Sequence, residues 1–420
     1  MSLLIKDARL DGKTSDIYIE DEVFSDIACG LDQEADQVID ASGMAILPSF
    51  NNAHTHAAMS IMRGYADDLA LHEWLEKHIW PYEANLFEDA VYHGTRLACL
   101  EMIKSGTTFF NDMYWFFHGT ARAVEEMGLR ANLSATLIDH FDTRTADEHK
   151  REKIRLYEES QQYSSRIRFT LGPHAIYTVS EDSLRWCAEF AAEHELMVHI
   201  HLSETRKEVD DCLAKHGTTP VRYLDRIGLL GPNLVAIHLV WVDQEERELL
   251  AENGVMAVHC PKSNMKLSSG KFAYSQFAKT GIRIAVATDG CASNNNLDMG
   301  EELKFAALHE KADTGLPTAM PAEECYCLGT SAPAEMFALN SGCIEVGRSA
   351  DCILVDLDDV RLVPGYKLIS DLIYSADSSC IDTTICRGKI LMQGRKVEGE
   401  EEIVSEARRV AFEMAEKLRA

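Results

Sequence analysis

The chain has 420 residues, enough to bury a large core and to hold a barrel-sized domain beside a smaller one. Its 41 Lys and Arg face 68 Asp and Glu, a net charge of −27, so its field repels phosphate backbones and acidic lipid surfaces and argues against nucleic-acid and membrane partners. With 46% hydrophobic and 26% charged residues and no low-complexity tract, the composition is that of a globular protein.

The first residues, MSLLIKDARLDGK, lack the basic and apolar regions of a secretory signal. No apolar stretch reaches the about 18 residues that a membrane-spanning helix requires. The 12 cysteines are scattered singly apart from Cys325 and Cys327, which predicts free thiols and a cytoplasmic protein. That Cys-x-Cys pair has no further Cys or His at zinc-finger spacing and reads as packing.

Short β-type runs fill the first 45 residues: LLIKDARL, SDIYIED, EVFSDIA and QVIDASG. A second set, DCILVDLD, DTTICRGKILMQG and RKVEG, follows residue 343. Neither set closes a core alone, so the two are predicted to pair into a small β-sandwich domain from residues 1–47 and 345–400. The stretch 401–420 has apolar residues at helical spacing and predicts a terminal amphipathic helix.

Residues 48–344 alternate strand-length apolar runs with longer helical patterns, which predicts an α/β chain of successive βα units. Eight runs qualify: MAILPSFNNAHTH, GTTFFNDM, RANLSATLID, IRFTLGPHA, LMVHIHLSE, NLVAIHLVW, GVMAVHCPKSN and GIRIAVATDG. Near-continuous apolar runs suit parallel strands buried on both faces, and each closes on polar residues, where a (β/α)8 TIM barrel carries its chemistry. A doubly wound sheet is the alternative, but no Gly-rich phosphate loop follows the first run.

As barrel strands, these runs collect His54 and His56 from the first, His174 from the fourth, His201 and Glu204 from the fifth, His238 from the sixth and Asp289 from the eighth. His54 and His56 stand two apart on one strand and therefore share a face. One histidine at a strand end is usually a hydrogen-bonded polar residue. Five histidines and an aspartate from five of eight strand ends point instead to a metal site. Neutral imidazoles with a carboxylate suit one divalent ion, Zn²⁺ first and Fe²⁺ second.

With these residues in view, the chain resembles the amidohydrolase superfamily over nearly its whole length. The motifs are the first His-x-His, HLSET, IHLVWV, HCPKSNMKLSSG and ATDGCASNNNLDM. LHEWLEKHIWPYEANL and GPHAIYTVS narrow the resemblance to the 5′-methylthioadenosine/S-adenosylhomocysteine deaminase family. The resemblance implies one metal held by His54, His56, His201 and Asp289. His238 would hydrogen-bond the attacking water. No lysine stands in RFTLGPHA, so a single-metal site is expected over a lysine-bridged pair. A divalent metal lowers the pKa of its water from near 16 toward about 7. Asp289 would accept the water's proton as base, and Glu204 would protonate the ring nitrogen beside the attacked carbon, then relay that proton to the leaving amine.

For the substrate, the resemblance implies that Glu83 in WPYE holds the ribose hydroxyls and that His174 contacts the ribose or a ring nitrogen. Trp74 would line the thioether end and Ser293 would touch the purine. Arg144, with Arg151 as its rival, is the candidate for a homocysteine carboxylate. His199 and His259 are expected to be buried supports, and His72, His78, His93, His118, His140, His149, His194, His216 and His309 to be solvated. The expected protein is a zinc-dependent nucleoside deaminase acting as a homo-oligomer on 5′-methylthioadenosine, S-adenosylhomocysteine, 5′-deoxyadenosine or adenosine. A deaminase or chlorohydrolase of the same branch acting on a free base (guanine, cytosine, pterin or triazine) is the rival within the enzyme class. A non-enzymatic relative would be expected to have lost ligands, and every proposed ligand and Glu204 are present.

Overall fold

The computed structural model describes residues 2–418. The chain begins with five short strands: β1 (Leu3–Leu10), β2 (Lys13–Glu20), β3 (Val23–Ala28), β4 (Gln37–Asp40) and β5 (Met44–Pro48). β1, β2 and β3 form an antiparallel meander through two tight turns, Asp11-Gly12 and Asp21-Glu22. All four turn residues have positive φ, the geometry that matches the twist of hairpin strands. β4 and β5 pair parallel with β1.

The next eight strands form the barrel: β6 (Phe50–Thr55), β7 (Thr107–Tyr114), β8 (Arg130–Leu137), β9 (Ile167–Pro173), β10 (Val198–Leu202), β11 (Leu234–His238), β12 (Met256–His259) and β13 (Arg283–Val286). Their spatial order is their chain order and every neighbouring pair is parallel, so a doubly wound sheet with its order reversal is excluded. No regular ladder joins β6 to β13. Closure falls to individual groups: Asp289 N–H donates to His54 O at 3.1 Å, and the Asn52 carboxamide bonds the Thr288 hydroxyl at 2.7 Å and accepts its N–H at 3.1 Å. Two of the residues implied as ligands therefore stand on the seam that closes the barrel.

After the barrel, β14 (Cys352–Asp356), β15 (Ile381–Cys386) and β16 (Lys389–Met392) return to the first sheet. They extend it in the order β16-β15-β14-β5-β1-β2-β3, with β4 on the flank of β1. Ile5, Ile17, Phe24, Ile46 and Leu354 fill its core. Each such fully buried side chain contributes about 1.5–3 kcal/mol relative to exposure. The helix Glu400–Lys417 lies against the helix Glu88–Lys104, where Glu402 accepts two bonds from Arg96 (3.0 and 2.7 Å) and Glu400 one from Lys104 (2.6 Å).

Candidate active site

Three imidazoles at the barrel mouth, those of His54, His56 and His201, have their proton positions set by their surroundings. His56 Nδ1 donates to the Met113 carbonyl at 2.6 Å, and His201 Nδ1 donates to the His174 carbonyl at 2.9 Å. A carbonyl can only accept, so Nε2 of each ring is left as a lone pair facing the barrel mouth. His54 Nδ1 lies 2.9 Å from His199 Nε2, and His199 Nδ1 lies 3.0 Å from the Ser134 hydroxyl. Assigning the proton to His54 Nδ1 lets His199 accept it and donate onward to Ser134, and again leaves Nε2 bare. Burial lowers His54 to about 4, opposed by Asp289, and holds His201 well below the usual histidine range. Both rings are therefore neutral at pH 7, the form that ligates metals.

His54 Nε2 is fully buried and makes no hydrogen bond, yet Asp289 Oδ1 is 3.2 Å away, and His56 Nε2 is 3.3 Å from the same oxygen. Lone pairs converging on one point repel unless a cation lies between them. Two overlapping sets, His54/His56/Asp289 and His54/His201/His238, each bring their donor atoms within 4.8 Å of one another. This nitrogen-rich set with one carboxylate fits a divalent ion of the zinc type.

Asp289 is held on its other side. Its Oδ2 accepts from Ser263 (2.6 Å) and Ser293 (2.9 Å), and Oδ1 from the Gly290 N–H (2.8 Å). Asp289 itself has φ +61, which turns its carboxyl back toward the histidines. Glycine is required next: a Cβ on Gly290 would stand 2.9 Å from Met59 Sδ and 3.1 Å from His56 Cβ.

Two further groups face this cluster from the β10 and β11 ends. His238 Nδ1 donates to Asn264 Oδ1 at 2.9 Å, leaving Nε2 pointed at Glu204 Oε2, 3.7 Å away. Glu204 is 3% exposed and accepts from the Ser269 hydroxyl at 3.0 Å. Burial raises its carboxyl above the usual range, the direction a proton donor needs near neutral pH.

The cluster opens into a cavity lined by His174, Trp74 and Glu83, which continues past Trp80, Glu83 and Tyr114 into an outer chamber of about 660 Å³. Glu83 lies at the junction of the two. Burial raises its carboxyl to about 7, against hydrogen bonding from Trp115 and Tyr114. It arrives there on a helical excursion, Leu71–Trp74, Leu75–Ile79 and Trp80–Glu83, whose middle turn is a π-turn. Such widened turns recur at functional sites because they re-aim side chains.

The amidohydrolase family profile matches residues 45–391. The chain belongs to the amidohydrolase family. Among its relatives, a 5-methylthioadenosine/S-adenosylhomocysteine deaminase of Archaeoglobus fulgidus is 46% identical over 94% of both chains. A 5′-deoxyadenosine deaminase of Methanoregula boonei is 44% identical over 97% of this chain and 93% of its own. Among solved structures, a zinc-bound adenosine deaminase from Xanthomonas campestris superposes with a TM-score of 0.92 at 31% identity, covering 100% of this chain and 98% of its own.

In this amidohydrolase, His54, His56, His174, His201, Glu204, His238 and Asp289 all converge on one mouth. Ser293 lines the cavity too, but its hydroxyl is engaged with Asp289. Trp74 is buried, with its Nε1 donating to the Ala66 carbonyl at 3.1 Å and its ring against the cavity. His174 Nδ1 bonds the Thr178 hydroxyl at 2.8 Å. Arg144 and Arg151 are exposed and line neither cavity nor chamber. Helical periodicity is the reason: the inward face of the helix Thr143–Ser160 presents Thr145, His149, Lys153 and Leu156 to the chamber. Lys153 is buried and ion-pairs with Glu152 at 2.9 Å.

Several expectations for the remaining histidines are corrected. His93 is buried; among the others expected in solvent, His140 is exposed and the rest are half-buried. His118, His140 and His149 line the outer chamber. Sequence reasoning missed Ser134, a small polar residue in the middle of β8, and Ser263 and Asn264, whose only signal was a position just after β12. It also missed Glu208, a buried carboxyl behind Glu204. All 12 cysteines are free thiols. No helix among the described residues is long and apolar enough to cross a membrane.

Proposed function

We propose that the chain hydrolyses the C6 amine of 5′-modified adenosines, giving the inosine analogue and ammonia. His54, His56, His201 and Asp289 hold one divalent metal, with zinc as the first choice. The observation that carries this is the bare, buried Nε2 of His54 against Asp289 Oδ1, with Glu204 and His238 facing the same point. The deaminases of Archaeoglobus and Methanoregula, matched over almost the whole chain, support the substrate class.

Bound there, the metal supplies a nucleophile from water at neutral pH. Asp289 takes up the water's proton. Glu204 holds a proton on its buried carboxyl and delivers it to the ring nitrogen beside C6, making that carbon electrophilic; the amine departs as ammonia with the proton held by Asp289, and the hydroxyl proton left on C6 returns to Glu204 as the carbonyl forms. His238 Nε2 orients the attacking oxygen. Glu83 accepts the two ribose hydroxyls, His174 contacts the ribose or a ring nitrogen, and Trp74 walls the apolar side. The 5′ substituent extends into the outer chamber.

Glu83 and that chamber favour a nucleoside over a free base, which has no ribose to hold. A deamination screen followed by loss of adenine absorbance tests the reading, with 5′-methylthioadenosine, S-adenosylhomocysteine, 5′-deoxyadenosine, adenosine, adenine, guanine and cytosine as substrates. Turnover of the nucleosides is expected; turnover confined to the bases overturns it. The free thiols fit a reducing, cytoplasmic setting.

A further inference from the structure

At the C-terminal ends of β10 and β11 the chain takes up backbone that ordinary residues avoid. Ser203 has φ +53, His238 φ +75 and Leu239 φ +46. Strain of this kind persists only where neighbouring groups hold it in place. The neighbour here is one carboxyl. Glu208 Oε1 accepts the Ser203 N–H and Oε2 accepts the Glu204 N–H, both at 2.8 Å. The Ser203 carbonyl in turn accepts the N–H groups of Val240 (3.0 Å) and Trp241 (2.9 Å), and the Leu202 carbonyl accepts that of Leu239 (3.0 Å). A continuous chain of hydrogen bonds thus runs from Glu208 to the segments carrying Glu204 and His238.

Glu208 is 2% exposed and does not line the cavity, so it touches no substrate. It occupies the first turn of the helix Arg206–His216, where Thr205 Oγ1 accepts its N–H at 3.2 Å. The helix dipole favours a negative charge in that turn.

We propose that Glu208 is the positioning residue for both Glu204 and His238, its two carboxylate oxygens fixing the backbone at residues 203–204 and, through Ser203, at 239–241. The inference rests on the roles given above to Glu204 and His238. The ionised form is required. A neutral carboxyl turns one oxygen into a donor facing an N–H, and two donors repel. Burial raises the group to about 7, opposed by its two backbone hydrogen bonds; Glu204, His238, Tyr177 and Cys212 are the ionisable groups around it.

The test is amide hydrogen exchange on the metal-loaded full chain, with kinetics on Glu208→Gln and Glu208→Asp. In the unmodified protein, the amides of Ser203 and Glu204 should be as protected as those of the barrel strands although they stand in a loop. In Glu208→Gln these amides and those of Val240 and Trp241 should exchange at least about tenfold faster. Its kcat should fall by about 10- to 100-fold, the loss seen when a group orienting a catalytic residue is removed. KM should stay within about threefold and metal content at the level of the unmodified protein, because transition-state alignment is lost and ground-state binding is not. Glu208→Asp, too short to reach both N–H groups, should fall between the two. Unprotected Ser203 and Glu204 amides in the unmodified protein overturn the proposal even if no variant folds. So does a Gln variant with normal protection and kcat within about threefold. The exchange measurement needs no substrate, so failure of the deamination reading leaves it intact and its own failure leaves that reading standing.

Discussion

Replacing Glu83 by glutamine changes one charge at the junction of the cavity and the outer chamber, with almost no change in shape. The carboxylate offers two acceptor oxygens to two ribose hydroxyls; the carboxamide keeps one and turns a donor toward the other. A hydrogen bond to a charged group contributes about 1.5–3 kcal/mol. Losing one such bond should therefore lower kcat/KM on 5′-methylthioadenosine by roughly ten- to 150-fold at 25 °C. The comparison substrate is 2′,3′-dideoxyadenosine, which lacks both hydroxyls. The unmodified enzyme should disfavour it relative to adenosine, and Glu83→Gln should show almost no further penalty on it. The two losses then fail to multiply, as expected for partners in direct contact. Fully multiplicative losses, or a Gln variant within about threefold of the unmodified enzyme on all three nucleosides, would refute the ribose contact.

The same carboxyl predicts a pH effect. Burial raises Glu83 to about 7, so protonation as pH falls through 7 removes an acceptor. KM for nucleosides should rise below pH 7 in the unmodified enzyme and stay flat over that range in Glu83→Gln. Glu204→Gln should cost about 10²- to 10⁴-fold in kcat, the range for general acid–base catalysis, with metal content unchanged. Gly290→Ala sets a Cβ 2.9 Å from Met59 Sδ and 3.1 Å from His56 Cβ. Displacing His56 in this way should weaken metal binding by about 10- to 100-fold, read by competition with a chelating dye. Stripping the metal should lower the Tm, and free zinc at 100 times its Kd should restore about 2.7 kcal/mol of stability.

The barrel was legible because parallel strands buried on both faces leave continuous apolar runs, and because the chemistry of such a fold collects where those runs end. The histidines and Asp289 stood out for the same reason: imidazoles and a carboxylate are conspicuous after apolar strands. What joins them was not legible. The seam between β6 and β13 is made by Asn52, Thr288 and backbone groups, which carry no pattern of period two. Glu208 reads in sequence as an ordinary acidic residue in a first helical turn. Only the positive φ at Ser203, invisible without coordinates, brings two N–H groups onto its carboxyl. Arg144 drew attention for its charge, whereas the helix period turns His149 and Lys153 toward the chamber and leaves Arg144 in solvent. Applying the 3.6-residue period to the loop after β8 would have made that distinction from sequence.

The most direct test combines metal analysis with product analysis on one preparation. The account predicts close to one zinc or iron per chain, and conversion of 5′-methylthioadenosine to its inosine analogue with one ammonia released per substrate. That activity should disappear on chelation and return with added zinc. A metal-loaded protein that leaves every 5′-modified adenosine untouched, or that turns over only free bases, would contradict it.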